Sequence, residues 1–443
     1  MRRAPILLAA ATLFGCATSS HAANHPALVE LLAEKGVITE AEAEDQKLLR
    51  LLVKKGVITE AEAAKVADGG APARQAAKTE RAAGEAPPGP RDDASTQKPG
   101  LNLSAKGEET VDLRFSGRVQ AQYDHLAMED DGVDRPTANH FYFRRLFLGA
   151  KAELENGFFA ETVLDFAGDQ GADVAFDKAY VAYGFEGGPN LRVGHVKVPF
   201  GFEETSSSAG LPTIERSAAN RFFANDLDFS ARHTGLHADG ELPGGFNYAG
   251  AVVNAAQGEG SRLLGRSNAS NDIAVFARVQ RSGDHLTAGA DAGHQPNNAS
   301  ADSIGNTLEK DVTGITGYLN YNRGGFDALA EYFHGDLGDA GDADGYALRL
   351  AYRANRFEPV LRYSRLENDR VEIDADELIR RAPSGGAVRG TDNAINAYYV
   401  GLNYYPTPAL TFMAGYERAD AESDSSGETA EVDGVRTRVQ LLW

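Results

Sequence analysis

From Val111 onward apolar and polar residues alternate. Val111, Leu113, Phe115, Gly117, Val119, Ala121 and Tyr123 fall on one face of an extended segment, and Asp112, Arg114, Ser116, Arg118, Gln120, Gln122 and Asp124 on the other. A period of two over about a dozen residues predicts a β-strand whose two faces meet different solvents. Less clean versions recur at 141–154, 157–167, 175–185, 190–198, 229–241, 245–254, 272–281, 284–294, 312–322, 325–335, 344–354, 356–367, 394–405, 409–419 and 433–443. With the first they make about sixteen, an even number, as a closed antiparallel barrel in an outer membrane requires. In such a barrel the apolar face meets lipid and the polar face lines the lumen.

The connections divide into two kinds. Glu155-Asn156-Gly157, Pro243-Gly244-Gly245, Asn322-Arg323-Gly324-Gly325 and Pro406-Thr407-Pro408 read as tight turns, while 124–140, 295–311, 368–393 and 420–432, rich in Asp, Gly, Asn and Ser, read as long loops. Short periplasmic turns opposite long external loops fit a membrane barrel. All 16 tyrosines and the single tryptophan, Trp443, follow Val111, as aromatic girdles at the two interfaces would demand. A secreted soluble β protein accounts for the tyrosines but not for their combination with the strand number and the aromatic end. No stretch beyond the N-terminus approaches 18 uninterrupted apolar residues, so strands must carry any membrane crossing.

Residues 1–22 read as a secretory signal peptide: Arg2-Arg3, an apolar run from Ala4 to Gly15, then small residues to Ala22. Cys16 after that run also allows a lipoprotein signal, which Phe14 fits badly. Residues 23–67 hold a repeat with a period of 20, Leu31 to Ala43 against Leu51 to Ala63. Gly36 and Gly56 suit helix C-termini, and Thr39 with Glu42 and Thr59 with Glu62 form capping boxes. This predicts a periplasmic helical hairpin, an oligomerisation or coiled-coil segment, with a flexible spacer as the alternative. Residues 68–110, with Pro87-Pro88-Gly89-Pro90 at their centre, read as a disordered linker.

Charge narrows the function. The formal net charge of −20 argues against nucleic acid, which needs a basic face. Without Cys16 the mature chain has no thiol for a disulfide or a metal. Asp336, Asp339, Asp342 and Asp344 miss the calcium-loop spacing, and His233 and His237 stand on a predicted strand where a helical zinc pair does not form. No cofactor, metal site or catalytic residue is expected. Gly-x-Ser-x-Gly is absent, which leaves an enzyme in the barrel wall a minor alternative.

Several segments resemble the phosphate-selective porin O and P family of Gram-negative outer membranes. They are Arg144-Arg145-Leu146-Phe147-Leu148-Gly149, Gly194-His195-Val196-Lys197-Val198-Pro199-Phe200-Gly201, Thr213-Ile214-Glu215-Arg216-Ser217, Phe357 to Tyr363, Gly401 to Pro408 and Arg438 to Trp443, spread over 111–443. The resemblance implies an outer-membrane porin: a sixteen-stranded barrel, usually a homotrimer, passing small anionic or polar solutes, phosphate among them. It also implies contact with outer-membrane lipid and lipopolysaccharide, and recognition of the terminal strand and Trp443 by the barrel assembly machinery. A structural protein tethering the envelope through its N-terminal helices is the alternative.

Anion preference in the family comes from basic side chains in the lumen. Here 111–443 carries 30 Lys plus Arg against 49 Asp plus Glu, with only four lysines, a departure from a dedicated phosphate pore. Arg114, Arg118, Arg145, Lys151, Lys197, Arg362 and Arg438 are the pore-lining candidates. The stretch Pro199 to Asp226 is expected to fold inward and narrow the pore, with Glu203, Glu204, Glu215, Arg216 and Arg221 setting its charge.

Overall fold

The computed structural model describes residues 101–106, 110–167, 174–255, 272–301, 307–374 and 387–443. Two units divide the chain, Met1–Arg81 and Ala82–Trp443, and the described residues belong to the second. The expected signal peptide, Cys16, the repeat and residues 68–100 of the expected linker lie outside them.

The strands are β1 (Leu101–Lys106), β2 (Thr110–Asp130), β3 (Val133–Leu154), β4 (Phe158–Asp165), β5 (Ala175–Gly184), β6 (Asn190–Lys197), β7 (Arg232–Leu242), β8 (Phe246–Asn254), β9 (Ile273–Ser282), β10 (Leu286–Ala301), β11 (Thr307–Arg323), β12 (Phe326–Asp336), β13 (Asp342–Tyr352), β14 (Phe357–Asn368), β15 (Ile373–Asp374), β16 (Ala387–Val388), β17 (Asn393–Thr407), β18 (Leu410–Ser423) and β19 (Thr429–Leu442). From β2 to β14 each pairs antiparallel with the next, β14 passes to β17, and β19 returns to β2. The result is a closed barrel of 16 strands, which leaves no sheet edge in the hydrocarbon.

The alternation becomes an inside and an outside. Leu348, Leu350, Leu361, Val400 and Leu402 point outward and are exposed, while Arg349, Arg362 and Asn403 on the same strands are buried within. Tyr346, Tyr363, Tyr398 and Tyr416 border this apolar band on one side. Phe357, Tyr404 and Phe412, their rings 4.9 Å and 6.3 Å apart, border it on the other. These are the two aromatic girdles that interfacial solvation favours.

Three expected loops are corrected by the structure. Residues 124–140 continue the β2–β3 hairpin through Asp124↔His140 to Asp130↔Val133, and turn at Asp131 (φ 50°) and Gly132 (φ 74°), the paired left-handed geometry of a tight hairpin. Pairing also runs through most of 295–311, to Ala301↔Thr307, and through 420–432, to Glu422↔Thr429. These hairpins are polar because they continue past the apolar band; the backbone ladder persists where alternation fades. The fourth expected loop, 368–393, holds the short β15–β16 pair, and its Val371, Ile373 and Val388 join a buried apolar cluster with Ile395 and Val432.

Within 68–110, β1 is a strand where a linker was expected, pairing Leu101↔Phe115 to Lys106↔Thr110. The last barrel strand runs out beside Gly117, which exchanges backbone hydrogen bonds with Trp443 (2.8 and 3.1 Å). β1 continues the ladder along β2 below that point. Gly117 admits the aromatic end because it has no side chain: a Cβ there would lie 2.1 Å from the Trp443 ring.

Candidate pore constriction

The connection between β6 and β7, residues 198–231, turns into the cylinder and bonds side chains of the opposite wall. Gly201 starts it at φ 80°, a conformation glycine takes without strain. Its N–H donates to Asp291 Oδ2 of β10 (2.9 Å), and the N–H groups of Phe202 and Glu203 donate to the Glu331 carboxylate of β12 (2.5 and 3.4 Å). Those carboxylates satisfy the first amides of a one-turn helix, α1 (Phe202–Thr205). A second turn, α2 (Ala218–Arg221), is capped by Ser217 Oγ, which accepts from Asn220 N–H (3.3 Å).

One side of the loop is fixed by apolar packing. Phe200, Phe223 and Phe229 stack among themselves and on Phe333 and Phe276 of the wall, at ring distances from 4.9 to 6.4 Å. Each buried phenylalanine contributes about 1.5–3 kcal/mol. Wall glycines make the room: a Cβ at Gly314 would sit 2.7 Å from the Phe229 ring, and one at Gly335 2.9 Å from Phe223.

The opposite anchor is ionic. Glu215, buried, accepts from Arg144 (2.8 and 3.2 Å) and from Arg438 Nη2 (2.6 Å). Its backbone carbonyl accepts from Arg362, which also reaches Glu417 (2.7 Å). Arg438 donates further to Gln122 Oε1 (2.6 and 3.0 Å). Arg145 donates to Gln120 Oε1 (2.9 Å). Thus Arg145, Arg362 and Arg438 are buried inside the barrel. Arg362 and Arg438 seat the loop through Glu215, while Arg145 is held by Gln120 of the wall; none of the three borders open water.

Arg144 was missed because strict alternation would send it into lipid. A register shift between Gln120 and Ala121 leaves Arg144 as an extra residue opposite β2, and a bulge turns two consecutive side chains the same way. Two adjacent arginines in a lipid-facing strand were the available signal. Arg349, paired to Glu203 (3.3 Å) and Asp327 (3.1 Å), and Arg278, paired to Asp291 (2.6 Å), were also missed. Nothing in their local sequence marks them as loop anchors, since the loop atoms they reach lie far along the chain: Glu203 is 146 residues from Arg349, and Thr205 and Gly201 are 73 and 77 residues from Arg278.

The loop's other face, Thr205 to Gly210, is partly exposed and is met by Arg278 of β9 at Thr205 and by Gln440 of β19 at the Ala209 carbonyl. Arg118 donates to Ser208 Oγ (2.6 Å) and Ser207 Oγ (3.4 Å) and covers the Phe147 ring at 5.0 Å. No described carboxylate lies within ion-pair distance of it, and its Nε has no acceptor among the described residues. Lys197 binds Glu204 (2.5 Å), which also receives Arg216 (3.1 Å). Lys151 binds Glu153 (2.5 Å). Arg216 further donates to the carbonyls of Glu203, Glu204 and Ser206 (3.0, 3.2 and 3.1 Å), so it braces the loop internally. Arg221 is buried within α2, and Arg114 stands exposed at the short-turn end, opposite Lys151.

Burial raises a carboxyl, yet Arg216 and Lys197 outweigh it and bring Glu204 down to about 2. Against the same burial, Arg144 and Arg438 hold Glu215 well below the usual carboxylate range. Both loop acids are therefore anions at neutral pH.

Residues 113–320 match the family described as phosphate-selective porin O and P. Among solved structures the chain is similar to an anion-selective porin from Comamonas acidovorans, at 14% identity over 75% of this chain and 100% of that one, with a TM-score of 0.52. It is similar to the outer membrane channel DcaP of Acinetobacter baumannii, at 12% identity over 75% and 97%, TM-score 0.52. In-vitro folded OmpT of Vibrio cholerae, in its trimer form, matches at 12% identity over 75% and 99%, TM-score 0.50. At these identities the likeness is one of fold. No curated protein matches the sequence.

Proposed function

We propose, from the match of residues 113–320 to the phosphate-selective porin O and P family, that the chain is an outer-membrane porin through which small polar solutes diffuse passively, with a preference for anions. The observation that carries the anion preference is Arg118: it faces the partly open side of the constriction loop and bonds only hydroxyls there. A guanidinium without a carboxylate partner in a confined, low-dielectric passage attracts anions more strongly than it would in water. The acidic surplus of the chain does not cancel this, because charges in water are screened over about 8 Å at physiological salt.

The porin works as a homotrimer, a reading supported by the trimer form of the similar Vibrio cholerae structure. The segment before the barrel lies in the periplasm after signal cleavage. Support comes from β1, which joins β2 at the end of the barrel that carries the short turns. The test is the reversal potential of single channels in a planar bilayer across a potassium chloride gradient. Anion preference that falls toward unity in Arg118→Gln is the expected result. An unselective wild-type channel would remove the anion reading, and no channel from heat-modifiable protein would remove the porin.

A further inference from the structure

We propose that the open side of this pore favours small dipolar solutes, bearing an ammonium and a carboxylate on one short frame, over phosphate. The inference rests on the porin reading and names the solute class of the same passage. Its basis is a staircase of ion pairs down the β3–β7 wall. Arg232 with Asp177 (2.5 Å) and Lys197 with Glu204 (2.5 Å) stand at the level of the loop. Lys178 with Glu161 (2.6 Å), Lys151 with Glu153 (2.5 Å) and Arg192 with Asp239 (2.6 Å) follow toward the short-turn end. Lys178–Glu161, Lys151–Glu153 and Arg232–Asp177 are partly exposed to water, up to about a third of the side chain, while Lys197–Glu204 and Arg192–Asp239 are more deeply set.

A phosphate reaching such a rung meets a cation already compensated. To bind, it must push aside a carboxylate that stays tethered a few ångströms away, and like charges at that range repel. A zwitterion avoids this. Its carboxylate takes the lysine or arginine while its ammonium takes the displaced Asp or Glu, so each rung keeps its net charge as the solute passes. At the level of the loop Arg118 departs from the pattern, and one guanidinium there biases traffic without trapping a dianion.

Full-length protein in liposomes is compared for entry of β-alanine and of lactamide, an uncharged solute of similar size, by swelling. In the wild type β-alanine is expected to enter at least as fast as lactamide. In Lys178→Gln/Glu161→Gln, and separately in Lys151→Gln/Glu153→Gln, the ratio is expected to fall about threefold, the scale of a partly exposed ion pair. Inorganic phosphate is expected to leave the potassium chloride current unblocked. Stepwise phosphate block, or a ratio unchanged in both variants, overturns the proposal while leaving the porin intact. Neither swelling nor conductance from heat-modifiable protein overturns the porin reading itself.

Discussion

Replacing Glu215 by Gln tests whether charge seats the constriction loop. The carboxylate is 5% exposed and receives both Arg144 and Arg438, themselves 8% and 2% exposed. Gln keeps the shape and one acceptor oxygen but leaves two buried guanidinium groups without their shared counter-charge. Removing one partner of a buried pair costs about 3–5 kcal/mol. The lower end is appropriate here, because Arg438 keeps Gln122 and Arg362 keeps its bond to the 215 carbonyl. About 3 kcal/mol is a factor of roughly 150 in the local docking equilibrium. The loss stays local, since the phenylalanine cluster and the Asp291 and Glu331 carboxylates still hold the start of the loop. Hydrogen exchange should therefore lose about two orders of magnitude of protection around Ile214–Ser217, with the barrel amides unchanged. The channel should also gain anion selectivity as Arg144 and Arg438 lose their carboxylate. Unchanged protection at 214–217 in folded E215Q would refute the reasoning.

Gly314→Val brings a Cβ to 2.7 Å from Phe229 and 3.0 Å from Phe200; single-channel conductance should rise while the barrel remains heat-modifiable, because the loop loses its seat and the strand does not. Phe223→Ala opens a cavity costing about 3–5 kcal/mol, read as lower hydrogen-exchange protection across 218–229 and noisier open-channel current. Acid titration follows from the depressed carboxyls: Glu204 and Glu215 stabilise the seated loop fully above the ordinary carboxylate value, and the stabilisation is lost as pH falls through their folded values, about 2 for Glu204. Conductance should thus hold steady from neutral to mildly acidic solution and change only below the ordinary carboxylate range, which a pH series in the bilayer measures.

The barrel was legible because one face of each strand had to match lipid and the other water, and that demand writes a period of two into residues such as Val111 to Tyr123. It ceased to be legible where the demand ceased. Beyond the apolar band both faces of 124–140 meet polar surroundings, so Asp and Asn there read as loop although the ladder continues, and only Asp131-Gly132 marked the turn. The inward course of 199–226 followed from the family resemblance, not from its own residues. Which wall side chains it would cover was hidden, because the pairing of Glu215 with Arg438 joins positions 223 residues apart. Arg118 and Arg438 look alike in alternation, yet one bonds loop hydroxyls on the partly open side and the other is sealed.

The pairing of β19 with β2 also sets the order in which the molecule can be built. Gln120 and Gln440, hydrogen-bonded at 2.6 Å across that junction, are 320 residues apart, so almost the whole chain must be synthesised and laid out before they meet. Contacts of such separation form late and slowly. Until then the two terminal strands present unpaired backbone edges, the surfaces most ready to bind another chain. A defect in β19 is therefore paid for by the whole cylinder: an altered final strand leaves every earlier hairpin intact and the vessel open along its length.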